Sequence, residues 1–461
     1  MRKTFLSQLA SWAGGRREGG DCLVSGICTD SRLVRPGQAF LALRGPRHDG
    51  HRWLADAVSA GAVAAVIEES HPDPVPLPAV RVTDCGKALA EIARGYRRTL
   101  AARFLAVTGS NGKTTTKDML ARLLAAAAPT AAAPRSFNNR IGVPLTILSV
   151  EDSHGYAVLE LGMNHPGEIR ELTLLARPEV GIVTNIGPAH LGFLGSLEAV
   201  AAAKAELLES EGGCRTAVLN RDDPEVWAMR SGFSGTVVSF GCSRGCDVRL
   251  LRVRPEDAGQ RLELEVQGAA GEMFLPVPGR HNALNFSAAV GAALAVGAEL
   301  SEIQPAVAGL RLPAMRFETR RRGNVTVTND AFNANPASMR SSLSAWLELP
   351  GKGRRILVGG DMRELGDFSQ AEHAAWGREA ARSGCDGLVF VGGESARAYA
   401  AAREEGFPAE NLFHFERADG AGSFLRGYLE PGDRVLLKGS RLIGLEKILE
   451  YLPAEPGTGE K

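Results

Sequence analysis

The chain has 461 residues, of which 53 are Lys or Arg and 53 are Asp or Glu, so its formal net charge is zero. A balanced charge gives no support for a nucleic-acid or membrane-surface partner. Apolar residues make up 44% of the chain and charged residues 23%, which is typical of a globular protein. The length exceeds what one hydrophobic core fills, and it predicts about three domains.

Signals for export or membrane insertion are also missing from the sequence. No apolar run is long enough to cross a bilayer, and the basic start Met1–Gln8 is not followed by an apolar signal segment. The seven cysteines are scattered and odd in number, which favours free thiols in a reducing compartment. Cys242 and Cys246 are close, but no second close pair completes a zinc site. We therefore expect a cytoplasmic protein without a membrane span.

The first predicted domain covers residues 1–100. Its apolar runs and helical spacing indicate an α/β unit, with strands at Ala39–Leu43 and Ala62–Ile67 and a helix between them. Two polar, turn-rich segments lie beside the strands, Thr29–Arg32 and Gly45–His51. Ligand loops occupy such positions, whereas composition alone favours surface turns. Both interpretations stay open at this point.

The second predicted domain, residues 101–313, begins with a strand, a glycine loop and a helix. The apolar run Phe104–Val107 precedes the loop, and the helix is predicted over Lys117–Leu124. In this context Lys113 would reach the outer phosphates of a nucleotide, and the Thr114 hydroxyl would hold Mg²⁺. The standard phosphate-loop pattern has a glycine where Val107 stands, so a plain strand-to-helix turn is the alternative.

Three further polar residues of this domain follow the loop in order. Glu160 ends the apolar strand that begins at Tyr156, and His190 follows the next strand. Because ligands bind at the carboxyl ends of strands in open α/β sheets, Glu160 suggests Mg²⁺ binding or a nucleophile, although a solvated strand end is the alternative. Ser196 is predicted to cap a helix that carries Lys204, which sequence alone favours as a solvated lysine.

The third predicted domain covers residues 314–461. Strands alternate with helices here, which implies a parallel, doubly wound, Rossmann-like sheet. One strand, Val325–Asp330, again ends in an acid, and the last residues, Ala454–Lys461, are expected to form a disordered tail. The predicted fold class is thus α/β in three domains, with a central P-loop-type, mostly parallel sheet.

Ordered motifs along nearly the whole chain resemble those of the Mur ligase superfamily. The loop Thr108–Thr115 is similar to that family's ATP-binding loop, which also lacks the first glycine of the common pattern, so Val107 is expected. The other matching segments are Asp30–Arg32, Asp49–His51, Asn138–Pro144, Glu160–Asn164, Asn185–Ile186, Ala189–Leu191, Gly279 with His281–Asn282, Asp330–Pro336, Gly360–Gly366 and Lys438–Ser440.

The resemblance implies an ATP-dependent ligase of peptidoglycan precursor synthesis. Within the family, the similarity is greatest to members that join D-alanyl-D-alanine to a UDP-N-acetylmuramoyl-tripeptide. ATP phosphorylates the terminal carboxylate of the tripeptide, and the dipeptide amine attacks the acyl phosphate. The cofactors implied are ATP and Mg²⁺, and we expect a monomer.

The resemblance also implies roles for individual residues. The catalytic roles fall to Lys113, Glu160, His190 and Lys204. The metal-binding roles fall to Thr114, Glu160, His190 and Lys204. Lys204 is included because the matching lysine is carbamoylated in several members, which turns a cation into an anion. ATP binding falls to Thr108, Gly109, Ser110, Asn111, Gly112, Lys113, Thr114, Thr115, Asn282 near the adenine, Arg316 at the γ-phosphate and Asp330 at the ribose. Substrate binding falls to Ser31, Arg32, Asp49, Gly50 and His51 for the uridine diphosphate, and to Asn333 and Asn335 for the dipeptide or acyl phosphate.

Two other classes of function compete with this interpretation. A sibling ligase, either the one that adds the third amino acid or folylpolyglutamate synthase, shares the nucleotide site. The Asp-Asn-Pro-Arg motif of the diaminopimelate-adding relatives is absent from this sequence, which favours the dipeptide-adding type. A regulatory or transport NTPase with the same loop would hydrolyse ATP without an acyl acceptor, but it leaves the carboxylate, histidine and lysine after the loop unexplained.

Overall fold

The computed structural model of the chain describes residues 1–46, 48–188, 191–209, 213–257 and 259–454. The predicted tail, Ala454–Lys461, lies outside these ranges except for its first residue. Within the described ranges, every helix is too short or too polar to span a lipid bilayer. Three large β-sheets, each packed against helices, organise the described part of the chain, which agrees with the predicted α/β fold class.

The N-terminal sheet has five strands and lies within residues 16–82. Its four parallel strands are joined by one antiparallel edge strand, in the spatial order Arg16–Glu18, Ala79–Val82, Ala64–Glu68, Ala39–Leu41 and Ile27–Cys28. Short strand pairs accompany it, Thr4–Phe5 with Leu23–Val24 and Arg44–Gly45 with His48–Asp49. Its helices are Leu6–Ala13, Leu54–Ser59 and Cys85–Arg97.

The central sheet has nine strands. Seven of them pair in parallel and the last two are antiparallel, in the spatial order Thr130–Ala132, Tyr156–Glu160, Arg103–Thr108, Val180–Val183, Thr216–Asn220, Thr236–Gly241, Val248–Glu256, Gly259–Val266 and Ala269–Leu275. The strand Arg103–Thr108 is the first of this sheet in the chain but lies third in space. The strand order therefore reverses at its carboxyl end, which is where open α/β sheets bind ligands.

Helices cover both faces of the central sheet. They are Lys113–Leu124, Gly142–Ser149, Glu168–Ala176, Leu191–Leu194, Leu197–Ala205, Pro224–Ala228, Arg280–Ala295 and Leu300–Ile303. The first of these begins at Lys113, four residues earlier than predicted. Gly112 ends the loop in the left-handed conformation, φ +80°, and the helix starts directly after it. The prediction was short because three threonines fill the first turn, and β-branched residues have low helix propensity.

The C-terminal sheet has six strands. Five parallel strands are joined by one antiparallel edge strand, in the spatial order Glu318–Arg322, Val325–Asp330, Arg434–Lys438, Arg355–Gly360, Gly387–Val391 and Leu412–Phe415, where the first is the antiparallel one. Its helices are Pro336–Leu347, Ser369–Ala381, Ser395–Glu404, Ala418–Tyr428 and Ile448–Tyr451. This is the doubly wound arrangement that the alternation of strands and helices predicts.

Hydrophobic packing divides the molecule unevenly. One buried cluster runs from Leu6 through Ile92 and Tyr96 into Phe104 and Leu159, so the N-terminal and central sheets share a core. The buried residues of the C-terminal sheet form two clusters of their own. The domain boundaries at residues 100 and 313 stay predictions, but the three sheets lie inside them.

Candidate active site

The loop after the first central strand is shaped by its two glycines. Gly109 has φ +143° and Gly112 has φ +80°. A Cβ atom on Gly109 would lie 1.9 Å from Thr184 Oγ1, and one on Gly112 would lie 2.2 Å from Asn285 Oδ1. Neither position has room for a side chain, so the backbone forms a tight turn that leads into the amino terminus of a helix. Such a turn presents N–H groups and a partial positive charge to an anion.

The lysine and threonine that begin this helix face a buried carboxylate. The Lys113 ammonium donates hydrogen bonds to the carbonyls of Gly109, at 2.8 Å, and Ser110, at 3.3 Å. Burial lowers the pKa of Lys113. Thr114 Oγ1 donates to Glu160 Oε2 at 2.6 Å, and Asn138 Nδ2 donates to Glu160 Oε1 at 2.8 Å. Glu160 is 1% exposed, which makes it a fixed carboxylate beside the loop.

A cavity of about 440 Å³ opens in front of this loop. Its wall combines residues of the central and C-terminal sheets. The predicted site residues in the wall are Ser110, Asn111, Gly112, Lys113, Thr114, Thr115, Glu160, Asn282, Arg316, Asp330 and Asn333. Thr108 is fully buried behind the loop, where its hydroxyl donates to the carbonyl of Leu161 at 2.9 Å.

The C-terminal sheet supplies a cation and an acid to the same cavity. Arg316 Nη2 donates to Ser136 Oγ at 3.2 Å, and its guanidinium lies 4.3 Å from the centre of the Phe332 ring. Burial lowers the pKa of Arg316. Asp330 Oδ2 lies 3.0 Å from the Lys438 ammonium, and Asp330 Oδ1 accepts from the Phe317 N–H at 3.1 Å. The carboxylate is thus held from two sides at the cavity wall.

Comparison with known proteins places this architecture in a family. The Mur ligase catalytic, middle and glutamate ligase domain models match residues 23–97, 107–293 and 315–441. The UDP-N-acetylmuramoyl-tripeptide–D-alanyl-D-alanine ligases of Bacillus subtilis and Escherichia coli are 33% and 34% identical to the chain. The alignments cover 94% and 99% of this chain and 94% and 100% of those enzymes. The chain belongs to the Mur ligase family.

Solved structures of relatives share the whole architecture of this Mur ligase. A crystal structure of MurF from Acinetobacter baumannii superposes with a TM-score of 0.87 at 30% identity, covering 97% of this chain and 98% of that one. The MurF ligase from Thermotoga maritima in complex with ADP superposes with a TM-score of 0.80 at 26% identity, covering 92% and 96%. The protein is therefore an ATP-dependent ligase of this family.

Lys204 of this Mur ligase is buried, in contrast to the solvated lysine that sequence alone favours. It lies on the helix Leu197–Ala205 and is 1% exposed. Burial first, and then the nearby charge of Lys113, lower the pKa of Lys204 well below its ordinary value. The predicted cap is confirmed, because Ser196 Oγ accepts from the Ala199 N–H at 3.2 Å. His190 lies outside the described residues.

In the two predicted loops of the N-terminal sheet, polar side chains form hydrogen bonds within their own loop or with the neighbouring strand. Asp30 accepts from the N–H and the guanidinium of Arg32, whose side chain is 85% exposed, and Ser31 is buried beside them. Asp49 Oδ1 lies 2.6 Å from His51 Nδ1, and His51 Nε2 accepts from the Glu68 N–H at 3.0 Å. Gly50 fits closely against the backbone of residues 42–43. The two nitrogens of His51 therefore already have partners.

The segment Asn333–Pro336 contacts the phosphate loop directly. Asn335 Nδ2 donates to Asn111 Oδ1 at 2.8 Å, and the Asn335 side chain also caps the helix Pro336–Leu347. The Asn333 carbonyl accepts from Lys438 at 2.8 Å. Asn333 lines the cavity, whereas the Asn335 amide is already engaged by these contacts.

A second cavity, of about 360 Å³, lies on the other side of Lys113 and Asn138. These two residues belong to the walls of both cavities. The second wall also includes Asn139, Arg140, Ile141, Gly162, Met163, Asn164, Glu168 and Leu172. The two spaces are therefore neighbours, with Lys113 at the border of both.

Several residues that shape the site received no role from the sequence. Asn138 holds Glu160, Lys438 holds Asp330, and Asn285 packs against Gly112. His281 lines the cavity, and burial lowers its pKa to about 4, so its ring is neutral near pH 7. Asn138, His281 and Lys438 lie within segments whose motifs match the family, and Asn285 follows one of these segments on the same helix. The motifs could have drawn attention to them, although not to their partners.

Proposed function

We propose that this ligase joins D-alanyl-D-alanine to a UDP-N-acetylmuramoyl-tripeptide through an acyl phosphate on the tripeptide. The observation that carries the proposal is the cavity between the two sheets. It brings the loop at Lys113, the carboxylate of Glu160 and the pair Arg316 and Asp330 to one space. The full-length similarity to ligases named for this reaction supports the choice of substrates.

The nucleotide would lie across the cavity with its ends on different sheets. The loop amides and Lys113 would bind the β- and γ-phosphates, and Arg316 would meet the γ-phosphate from the C-terminal side. Asp330 would accept hydrogen bonds from the ribose hydroxyls, and Asn282 would lie near the adenine. The relative from Thermotoga maritima, solved in complex with ADP, supports the choice of an adenine nucleotide as the ligand. Closing the two sheets around it would exclude water from a hydrolysable acyl phosphate.

The oxygens beside the loop fit a magnesium ion. Mg²⁺ takes oxygen ligands and is usually bound by one or two protein groups together with phosphate oxygens and water. Thr114 Oγ1 and Glu160 Oε2 are 2.6 Å apart and buried, so they offer such a pair. Bound there, the ion would neutralise charge on the phosphates and on the substrate carboxylate.

Lys204 would enter this site in a modified form. An unmodified ammonium repels a cation, but its lowered pKa leaves a larger neutral fraction that can react with carbon dioxide. The resulting carbamate is an anion that can approach Mg²⁺, together with His190 and Glu160. Lys204→Ala should therefore lose activity and regain part of it with added short carboxylates. Full activity of that variant in their absence would exclude the carbamate.

The tripeptide substrate and the dipeptide, which the reaction joins by an amide bond, would approach the γ-phosphate from opposite directions. We assign the uridine diphosphate to the N-terminal loops at Ser31–Arg32 and Asp49–His51, and the dipeptide to the segment at Asn333 and Asn335. The carboxylate of the tripeptide would then reach the γ-phosphate beside Lys113, which lies between the two cavities. A cytoplasmic location and a monomeric state stay predictions.

A panel of amine acceptors tests the proposal directly. The purified enzyme is incubated with ATP, Mg²⁺ and either a UDP-N-acetylmuramoyl-dipeptide or UDP-N-acetylmuramoyl-tripeptides that differ at the third residue. D-Ala-D-Ala and single amino acids, glutamate among them, are offered in parallel, and both phosphate release and the ligated product are measured. We expect product only when a tripeptide and D-Ala-D-Ala are both present. Product from the dipeptide and a single amino acid would identify a sibling ligase, and phosphate release without any acceptor would identify a plain NTPase.

A further inference from the structure

A second lysine of the phosphate-loop helix is completely buried, and the proposed reaction gives it no role. Lys117 lies one turn after Lys113 and is 0% exposed. Its ammonium donates to the carbonyl of Ala133 and, at 2.9 Å, to the carbonyl of Arg135. Asp118 Oδ1 lies 2.8 Å from the same nitrogen. All three hydrogens of the ammonium therefore have acceptors.

A buried charge at this position calls for a physical reason. Removing an ammonium from water is unfavourable unless its hydrogen bonds and charge are compensated, and an apolar side chain of equal length avoids that penalty. The partners of Lys117 are mainly backbone carbonyls that belong to one short segment. That segment leaves the edge strand Thr130–Ala132 and turns at Arg135, whose φ of +50° is uncommon for a residue with a side chain.

The segment that Lys117 holds continues directly into the active-site cavity. Ser136 Oγ lies 3.4 Å from Thr114 Oγ1 and accepts from Arg316. Asn138 Nδ2 donates to Glu160 Oε1 at 2.8 Å, and the carbonyl of Asn138 accepts from the Gly162 N–H at 2.8 Å. The two oxygens that fit Mg²⁺, on Thr114 and Glu160, are thus both in contact with this segment.

We propose that Lys117 is a positioning residue, which fastens the segment 133–138 to the phosphate-loop helix and so orients the Glu160 carboxylate for a metal-bound nucleotide. The inference rests on the proposed nucleotide site for its functional consequence. The structural part of the inference does not depend on that site, because all the contacts of Lys117 that carry it are made with atoms of the protein itself. Partners outside the ligand shell of a metal site typically change metal affinity or activity by about 10- to 100-fold when they are removed.

The test compares Lys117→Met with the parent enzyme, because methionine keeps the length of the side chain and removes its charge. Hydrogen exchange is measured on the free protein over residues 133–139. Binding of ADP is measured by calorimetry with Mg²⁺ and again with a chelator. We expect faster exchange in that segment and roughly tenfold weaker binding of MgADP, the lower end of the loss seen for such partners. Binding of metal-free ADP should change little.

The matched control is Lys87→Met, an exposed lysine on the helix Cys85–Arg97, which should behave like the parent. If Lys117 only stabilised the fold, Lys117→Met would lower the unfolding temperature. It would leave the difference in affinity between MgADP and metal-free ADP unchanged. Unchanged exchange over 133–139, or MgADP binding within twofold of the parent, would overturn the inference. A parent enzyme that binds no MgADP would instead overturn the proposed function, while the exchange result would still decide whether Lys117 fastens the segment 133–138.

A second variant keeps the inference testable if Lys117→Met does not fold. Asp118→Asn retains the ammonium and its two carbonyl contacts but removes the compensating charge. It should give the same changes in exchange and in MgADP binding, each smaller than for Lys117→Met. No change in either measurement would count against the role of this cluster.

Discussion

The central sheet contacts its two neighbours in different ways. Against the N-terminal sheet it shares one apolar core, in which Ile92 and Tyr96 pack with Phe104 and Leu159. Against the C-terminal sheet its described contacts at the site include hydrogen bonds of Arg316 and Asn335 and one ring contact between His281 and Phe317, and a cavity of about 440 Å³ lies between them. An apolar core holds two units in one arrangement, whereas polar contacts around a cavity can separate and reform. We infer that the first contact is a fixed support and that the second is where the enzyme opens and closes.

The largest expected effect is at the second contact. Lys113→Ala removes the cation that faces both cavities, so ligation should fall by roughly 10²- to 10³-fold, as for removal of one group that stabilises transition-state charge. The side chain belongs to no apolar cluster, so the unfolding temperature should stay close to that of the parent. Product formation and thermal unfolding are the two measurements, with Lys87→Ala as control. Near-normal ligation by the variant would contradict the assignment of the phosphates.

The opposite pattern is expected at the first contact. Ile92 is fully buried in the shared core, so Ile92→Ala should lower the free energy of unfolding by about 2–5 kcal/mol. The KM for ATP should not change. Unfolding in urea and initial rates test both halves. Leu442→Ala removes an aliphatic side chain that is 81% exposed and serves as control. A large change in KM would mean that the first contact moves during turnover.

A buried lysine near the cavity should make stability depend on pH. The folded-state pKa of Lys204 is lowered by burial below its ordinary 10.5, so the unfolded chain binds the proton more tightly. The parent should therefore gain stability as the pH rises between the lowered value and 10.5. Lys204→Met lacks this dependence, so its advantage over the parent should be greatest at the lowest pH of that window and shrink towards 10.5. Urea unfolding in CO2-free buffer without Mg²⁺ checks this, and a constant advantage would contradict the shift.

The smallest effect concerns one hydrogen bond between the central and C-terminal sheets. Asn335→Ser keeps a helix cap but removes the amide that contacts Asn111. The KM for ATP should rise by a few-fold, since one hydrogen bond contributes about 0.5–1.5 kcal/mol. A double-mutant cycle with Asn111→Ala should show that the two changes are not additive. Additive effects would mean that the contact does not take part in closure.

Much of the fold could be predicted because the sequence is locally consistent. Strands such as Tyr156–Glu160 and Val325–Asp330 lie where they are expected, and each ends at a carboxylate. The helix after the phosphate loop was predicted to start too late, because its three threonines hide it. The sequence also could not reveal that Lys204 is buried, since burial depends on packing between distant elements.

The candidate site was predictable where a motif fixes the backbone and less so where a side chain has an unexpected partner. The loop at Gly109 and Gly112 adopts its shape for local steric reasons, which a sequence pattern records. His51 and Asn335 lie in matching motifs, yet their polar atoms already bond within the protein. Which atoms remain for a ligand depends on contacts over long sequence separations, and no local pattern contains them.

The linker into the C-terminal sheet gives the site one more property. Met315 and Phe317, on either side of Arg316, both have φ near +61°, a conformation that residues with side chains rarely adopt. The Phe317 N–H is in turn held by Asp330, the acid assigned to the ribose. The carboxylate that we assign to the nucleotide's sugar is thus also the one that holds the strained linker. We expect the departure of ADP to weaken the contact between Asp330 and the Phe317 N–H. Product release and relaxation of the linker at Met315–Phe317 would then occur as one event.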